Sequence, residues 1–185
     1  VDKTDLSNVR AICVDETSFK KGQSYVTVIT DAKARKVIDV EEGRDVSTVQ
    51  NFSYKLEEKG GDCNNIRVFV SDMSSTYKSA KEECFPNALQ VIDKFHVKQL
   101  MLQAMDEVRQ EEQGKKISRS RKSGKRLLMI PQSRQTGEQH LKIMELSKQY
   151  PKTGRAYRMV QGLDEMYKCD KLEEAETVFK KLISW

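Results

Sequence analysis

Arg67-Val-Phe-Val-Ser71-Asp72-Met-Ser74-Ser75-Thr76-Tyr77-Lys-Ser-Ala80 is the stretch on which the reading of this 185-residue chain turns. Val68-Phe69-Val70 is a β-branched and aromatic run, the mark of a buried strand, and it stops at Ser71-Asp72. The polar cluster Ser74-Ser75-Thr76 then opens a helical pattern with Tyr77, Ala80 and Cys84 on one face. Asp72 is thereby expected at the C-terminal tip of a core strand, where open α/β sheets gather their ligands. Asp15 follows another apolar run, Ala11-Ile12-Cys13-Val14, in the same manner. Two aspartates at the tips of two core strands suggest one shared metal site.

Working outward, Val9–Val14 reads as the first strand and Lys20-Lys21-Gly22 as a turn. Tyr25–Thr30 and Lys36–Val40 read as two more strands, and the short links between the three argue for an antiparallel meander. Asp45 or Ser47 caps a helix with Val46, Val49, Phe52 and Leu56 at helical spacing, and Gly60-Gly61 ends it. Ile66–Val70 is the fourth strand, and Ser74–Glu83 a second helix broken by Phe85-Pro86-Asn87. Ala88–Ile92, ending at Asp93, is the fifth strand. The order β-β-β-α-β-α-β is that of an α/β, ribonuclease H-like mixed five-stranded sheet. In that arrangement the first and fourth strands are neighbours, so Asp15 and Asp72 face each other.

From Val97 the pattern turns helical. Val97, Leu100, Met101, Ala104 and Val108 form one apolar stripe. Further helical patterns run through Leu141, Ile143, Met144 and Tyr150, then Ala156, Val160, Leu163 and Tyr167, then Leu172, Ala175, Phe179 and Leu182. Asp170 with Glu173 gives the last a capping-box-like start. Between these helices Lys115, Lys116, Arg119, Arg121, Lys122, Lys125 and Arg126 form a run without an acid. The run reads as a solvated, part-disordered loop over 113–126 that also touches phosphates. The expected division is a catalytic core over residues 1–112 and a basic helical insertion over 113–185.

Charge divides the same way. Residues 1–93 carry 13 Lys/Arg against 16 Asp/Glu, and residues 94–185 carry 20 against 12. The second half is therefore expected to meet a polyanion. No apolar run approaches the roughly 18 residues of a membrane span, which argues against a membrane protein. The four cysteines show no Cys-x-x-Cys spacing and read as free thiols in a reducing cytoplasm. A start on Val rather than Met suggests a piece of something longer.

Carboxylates on adjacent strand tips can share Mg²⁺, or Mn²⁺, ions that prefer hard oxygen ligands. Two such ions about 3.5–4 Å apart clamp the attacking and leaving oxygens of a phosphodiester. The blander reading makes each aspartate a strand-end or helix-cap residue. Asp93 is either a helix cap or an orienting group beside the metals. His96, three residues on, is either structural or a phosphate contact near the same edge. Glu16, next to Asp15, belongs with these neighbours. His140 lies in a polar helical stretch and reads as surface.

Val14-Asp15-Glu16-Thr17-Ser18 with Lys20-Lys21-Gly22 resembles the first-aspartate segment of bacterial insertion-sequence transposases of the DDE class. Val70-Ser71-Asp72-Met73 with Tyr77 is similar to their second, and Phe85-Pro86-Asn87-Ala88 leading to Asp93-Lys94-Phe95-His96-Val97 to a block beyond it. Glu42-Gly43-Arg44-Asp45 fits as well. The likeness covers residues 9–109 closely and the helical remainder loosely, through Leu127-Leu128 and Ala156-Tyr157. The resemblance implies DNA cleavage at an element's end, followed by attack of the freed 3′-hydroxyl on target DNA. Asp15 and Asp72 would be the catalytic, metal-holding pair. A third carboxylate, a glutamate on a helix beside these strands, is expected beyond Trp185, because Glu138, Glu165 and Glu173 lack the expected surroundings. The chain alone is then expected to be inactive. DNA (element ends and target) is the implied partner, and a homo-oligomer the implied state of the full-length protein. The alternatives are another ribonuclease H-like nuclease and a non-catalytic nucleic-acid-binding module.

Overall fold

The computed structural model describes residues 5–18, 25–114 and 119–184, without the side chains of 119–123. Strands β1 (Ala11–Ser18), β2 (Tyr25–Asp31) and β3 (Lys36–Glu42) form the antiparallel meander. Asp31 shapes the β2–β3 turn, its Oδ1 accepting from the backbone of Lys33 and Ala34. Helix α1 (Val46–Glu58) starts at Asp45, whose Oδ1 accepts from the Thr48 N–H at 3.1 Å. Strand β4 (Val68–Ser71), helix α2 (Ser75–Cys84) and strand β5 (Leu89–Ile92) complete the sheet. Its order is β3-β2-β1-β4-β5, with β4 parallel to both β1 and β5. This is the ribonuclease H-like mixed sheet.

One boundary differs from expectation in a way that matters. β1 does not stop at Val14, because β2 pairs with it as far as Ser18↔Tyr25. Asp15 therefore lies within a strand. What ends just before it is the parallel ladder to β4, at Cys13↔Val70. The turn expected at Lys20-Lys21-Gly22 lies outside the described residues.

Strand alternation sorts the sheet's two faces. Ile12, Val14, Ile29 and Phe69 point to the face covered by α1 and α2, and all are buried. They meet Val49, Phe52 and Leu56 of α1, and Tyr77 and Ala80 of α2. The Phe85 ring stands 6.3 Å from that of Phe52 and 5.8 Å from that of Phe69. Each such ring contributes about 1.5–3 kcal/mol by leaving water. Cys13, Val28 and Val70 point to the other face and are only half-buried.

Helices α3 (Lys94–Gln113), α4 (Arg119–Leu128), α5 (Gly137–Gln149), α6 (Pro151–Met166) and α7 (Leu172–Ile183) follow. None of the described helices is long and apolar enough to cross a membrane. The chain divides into two compact units, Val1–His96 and Val97–Trp185. This division falls before the expected one at 112/113, because α3 packs into the helical unit. Met105 joins Leu128, Ile143, Tyr157 and Val160 in that unit's core. The expected α3 stripe is turned on its axis: Leu100 and Ala104 are exposed, while Met105, Asp106 and Arg109 are buried. Within the expected 113–126 loop, residues 119–126 are helical as the start of α4. The cap of α7 is Lys171, with no side-chain bond, so Asp170 and Glu173 form no capping box. Leu141, Met144, Leu172 and Phe179 are exposed, which leaves Ile143 and Leu182 to carry the packing of α5 and α7.

A buried charge cluster explains the turn of α3. Asp106 accepts from Arg109 Nε at 2.8 Å and from Gln110 at 2.9 Å, and pairs with Lys125 Nζ at 2.8 Å. Burial alone would raise the Asp106 carboxyl, but the bonds from Lys125 and Arg109 outweigh it and hold it below its usual value. A pKa depressed by folding stabilises above the unfolded value of about 3.9 and is lost as pH falls through the folded value. Asp106→Ala is expected to destabilise the chain by about 3 kcal/mol, the low end for breaking a buried pair, since Lys125 stays half in water. Chemical denaturation at pH 7 checks the loss. The gap between variant and parent should shrink as pH falls below 4.

Candidate active site

The site is built by register. The β1–β4 ladder pairs Ala11 with Val68, Ile12 with Phe69 and Cys13 with Val70. Carried two steps further, it sets Asp15 opposite Asp72. The β4–β5 ladder ends at Ser71↔Ile92, and the Asp93 N–H donates to the Ser71 carbonyl at 2.8 Å. One step further sets Asp72 opposite Asp93. Asp15, Asp72 and Asp93 thus each follow the last ladder pair of three adjacent parallel strands, Asp15 still within β1 and the other two just past β4 and β5. Alternation from the buried Val14 turns Asp15 to the face opposite α1 and α2. Cys13 shares that face, and its thiol is raised first by burial and then by the Asp93 and Asp31 carboxylates.

Each carboxylate is partly engaged locally. Asp15 Oδ1 accepts from the Glu16 N–H at 2.9 Å, and Asp72 Oδ1 from the Ser74 N–H at 2.8 Å. Among the described residues no donor stands against Oδ2 of either. Asp93 is turned further into its own turn. Its Oδ1 accepts from the Phe95 N–H at 2.9 Å, and its Oδ2 lies 3.1 Å from His96 Nδ1. Asp93 thus bonds into the entry to α3 and stands against the His96 ring.

Glu16 points the other way from Asp15, toward the helices. Its Oε2 lies 3.5 Å from the Tyr77 hydroxyl and its Oε1 3.9 Å from Arg44 Nη1. Burial pushes the Tyr77 hydroxyl up to about 12, against a hydrogen bond with the Thr27 side chain that lowers it, while Glu16, Asp72 and Asp15 add to the rise. Arg44 is held over the Tyr25 ring, 4.3 Å from its centroid. Gly43 delivers it there at φ +103, a left-handed backbone that disfavours any Cβ, and a Cβ would also meet Thr48 Oγ1 at 3.0 Å. Sequence reading put Tyr77 on the apolar face of its helix and missed the polar end of the ring. It also noted Arg44 only within a motif, since nothing in the spacing tells that β3 returns beside Tyr25.

The remaining residues named from sequence belong to the helical unit. Lys115 and Lys116 lie outside the described residues, as do the side chains of Arg119, Arg121 and Lys122. Arg126 is exposed on α4. Lys125 is tied to Asp106. Glu138 pairs with Lys142 on α5, and His140 is exposed with Nδ1 3.5 Å from Gln135 Oε1. Among the described residues no three His, Cys, Asp or Glu side chains converge as a metal cluster. A pair of hard carboxylates with one oxygen each left over suits Mg²⁺ or Mn²⁺ rather than zinc.

Because Ser74 caps α2 and its N–H holds Asp72, Ser74→Ala is expected to cost about 1 kcal/mol of stability. Urea unfolding of the variant checks it.

A family model described as a transposase, of the DDE ISL3 type, matches residues 12–185. A transposase of the insertion sequence IS1001 from Bordetella parapertussis is 31% identical over 97 residues, covering 52% of this chain and 23% of that protein. Transposases of IS1557 from two Mycobacterium tuberculosis strains are 24% identical over 207 residues, covering 97% of this chain and 46% of theirs. The chain thus spans between about a quarter and a half of the curated relatives it matches.

Proposed function

This chain belongs to the ISL3-type DDE family of bacterial insertion-sequence transposases, and from that premise we propose that Asp15 and Asp72 are the catalytic pair of its active site. The reaction is cleavage and joining of DNA phosphodiesters during transposition. What supports this reading is the β1–β4 register, whose last pair is Cys13↔Val70, so that each aspartate follows the parallel ladder by two residues. Two like charges brought side by side, each with an oxygen to spare, are a costly arrangement unless a cation joins them.

In this reading Asp15 and Asp72 hold Mg²⁺, or Mn²⁺, with two ions in the complete site. The ions supply Lewis-acid stabilisation of the phosphodiester oxygens when bound. Asp15 and Asp72 would be the side chains that hold such ions at β1 and β4. Asp93 holds the His96 ring at 3.1 Å, and His96 presents its other nitrogen to a nearby phosphate. Glu16, turned to the helices, supports Asp15 from behind. The resemblance implies a third carboxylate for the complete site, a glutamate on a helix beside these strands.

The basic second half grips DNA through phosphate contacts from Lys115, Lys116, Arg119, Arg121, Lys122 and Arg126. Such contacts are independent of sequence and weaken with salt. Lys125 contributes less, its charge being engaged by Asp106. The transposase works as a homo-oligomer, which brings two element ends together.

A strand-transfer assay on the complete transposase tests the reading. Asp15→Asn or Asp72→Asn removes several kcal/mol of charge stabilisation, so joining should fall on the order of a hundredfold or more. DNA binding should be retained. Joining at the parent's rate would leave a nucleic-acid-binding module, and cleavage without joining another nuclease of this fold.

A further inference from the structure

We propose that Tyr77 is a positioning residue for the paired carboxylates: its hydroxyl, set against Glu16, ties the tip of β1 to the start of α2 and so fixes Asp15 against Asp72. The inference rests on the reading of Asp15 and Asp72 as one site.

The case begins with what the sheet does not do. Beyond Cys13↔Val70 no ladder joins β1 to β4. The end of β1 is held on its other side by β2, as far as Ser18↔Tyr25. Asp72 has already left the sheet, because β4 ends at Ser71. The distance between the two carboxylates is therefore not set by backbone pairing.

A route of hydrogen bonds closes that gap. Asp72 Oδ1 accepts from the Ser74 N–H at 2.8 Å, and Ser74 Oγ accepts from the Tyr77 N–H at 3.3 Å. The Tyr77 side chain crosses the helix-covered face, and its hydroxyl donates to Glu16 Oε2 at 3.5 Å. The Glu16 N–H donates to Asp15 Oδ1 at 2.9 Å. Every link from one carboxylate to the other is local except Tyr77 to Glu16, which spans 61 positions of sequence. That link makes two separate turns into one frame.

Tyr77 suits the task. It is 1% exposed, so its ring is clamped between the sheet and α2. Burial keeps the hydroxyl protonated and therefore a donor. Arg44, stacked on Tyr25, approaches Glu16 from the β3 side, so the glutamate is held from two directions. Arg44 is exposed and its pair is long, so the tyrosine is the firmer of the two holds.

Mn²⁺ titration of the whole 185-residue chain tests the proposal, following broadening of backbone amide signals near Asp15 and Asp72 together with water-proton relaxation. Tyr77→Phe keeps the ring and removes the donor. It is expected to weaken Mn²⁺ binding by about fivefold, the worth of one hydrogen bond. In a Glu16→Ala background the same change should have no further effect. Glu16 is half-exposed, so Glu16→Ala reads the tie from its other end should Tyr77→Phe not fold, and the same loss is expected. If Asp15→Asn loses Mn²⁺ while Tyr77→Phe binds as the parent does, the site stands and the positioning role is overturned. Equal losses from Tyr77→Phe with and without Glu16 also overturn it, since Tyr77 then acts by packing. If Asp15→Asn binds as the parent does, the site reading fails and the positioning role falls with it.

Discussion

The short parallel ladder between β1 and β4 is the constraint on which the rest of the sheet unit depends. Three residue pairs, from Ala11↔Val68 to Cys13↔Val70, fix its register. A slip of one residue would move Phe69 from the core to the opposite face and carry Asp72 away from Asp15. The register is held because Ile12 and Phe69 are both fully buried against α1 and α2. Hydrophobic burial on one face thereby fixes the register of the two strands that carry Asp15 and lead to Asp72.

The tips of the strands work by a different rule. Past the ladder, position is set by side chains bonding to nearby backbone: Asp15 to Glu16, Asp72 to Ser74, Asp93 to Phe95. These are the local turns that short polar side chains favour. They hold each aspartate to its own turn, while the long-range contact of Tyr77 with Glu16 joins the turns of β1 and α2. The helical unit has its own long-range polar device in Asp106, Arg109 and Lys125, which orients α3 and brings a basic residue of α4 inward.

Sequence and structure agree best where a pattern is short and local. The meander, a cap at Asp45 or Ser47, a helix start in the Ser74-Ser75-Thr76 cluster and the five strands were readable because period-two alternation and capping residues act within a few positions. The helical half was less readable. Its stripes include Leu100, Leu141, Leu172 and Phe179, all exposed, while α3 buries Asp106 and Arg109. An apolar periodicity cannot register a buried ion pair, because the pair's partner, Lys125, arrives from another helix.

The sequence by itself determined the order of elements, the two aspartates that follow apolar runs, and a resemblance to DDE transposases that the family match bears out. Only the tertiary structure decided that β1 continues past Asp15, that Asp93 stands against His96, and that Tyr77 reaches Glu16. The physical reason is range. Propensity, alternation and capping are set by neighbours within one turn or one strand, whereas register and side-chain meeting points depend on which segments pack together. Those segments, Glu16 and Tyr77 above all, are far apart in the chain and adjacent only once the core has formed.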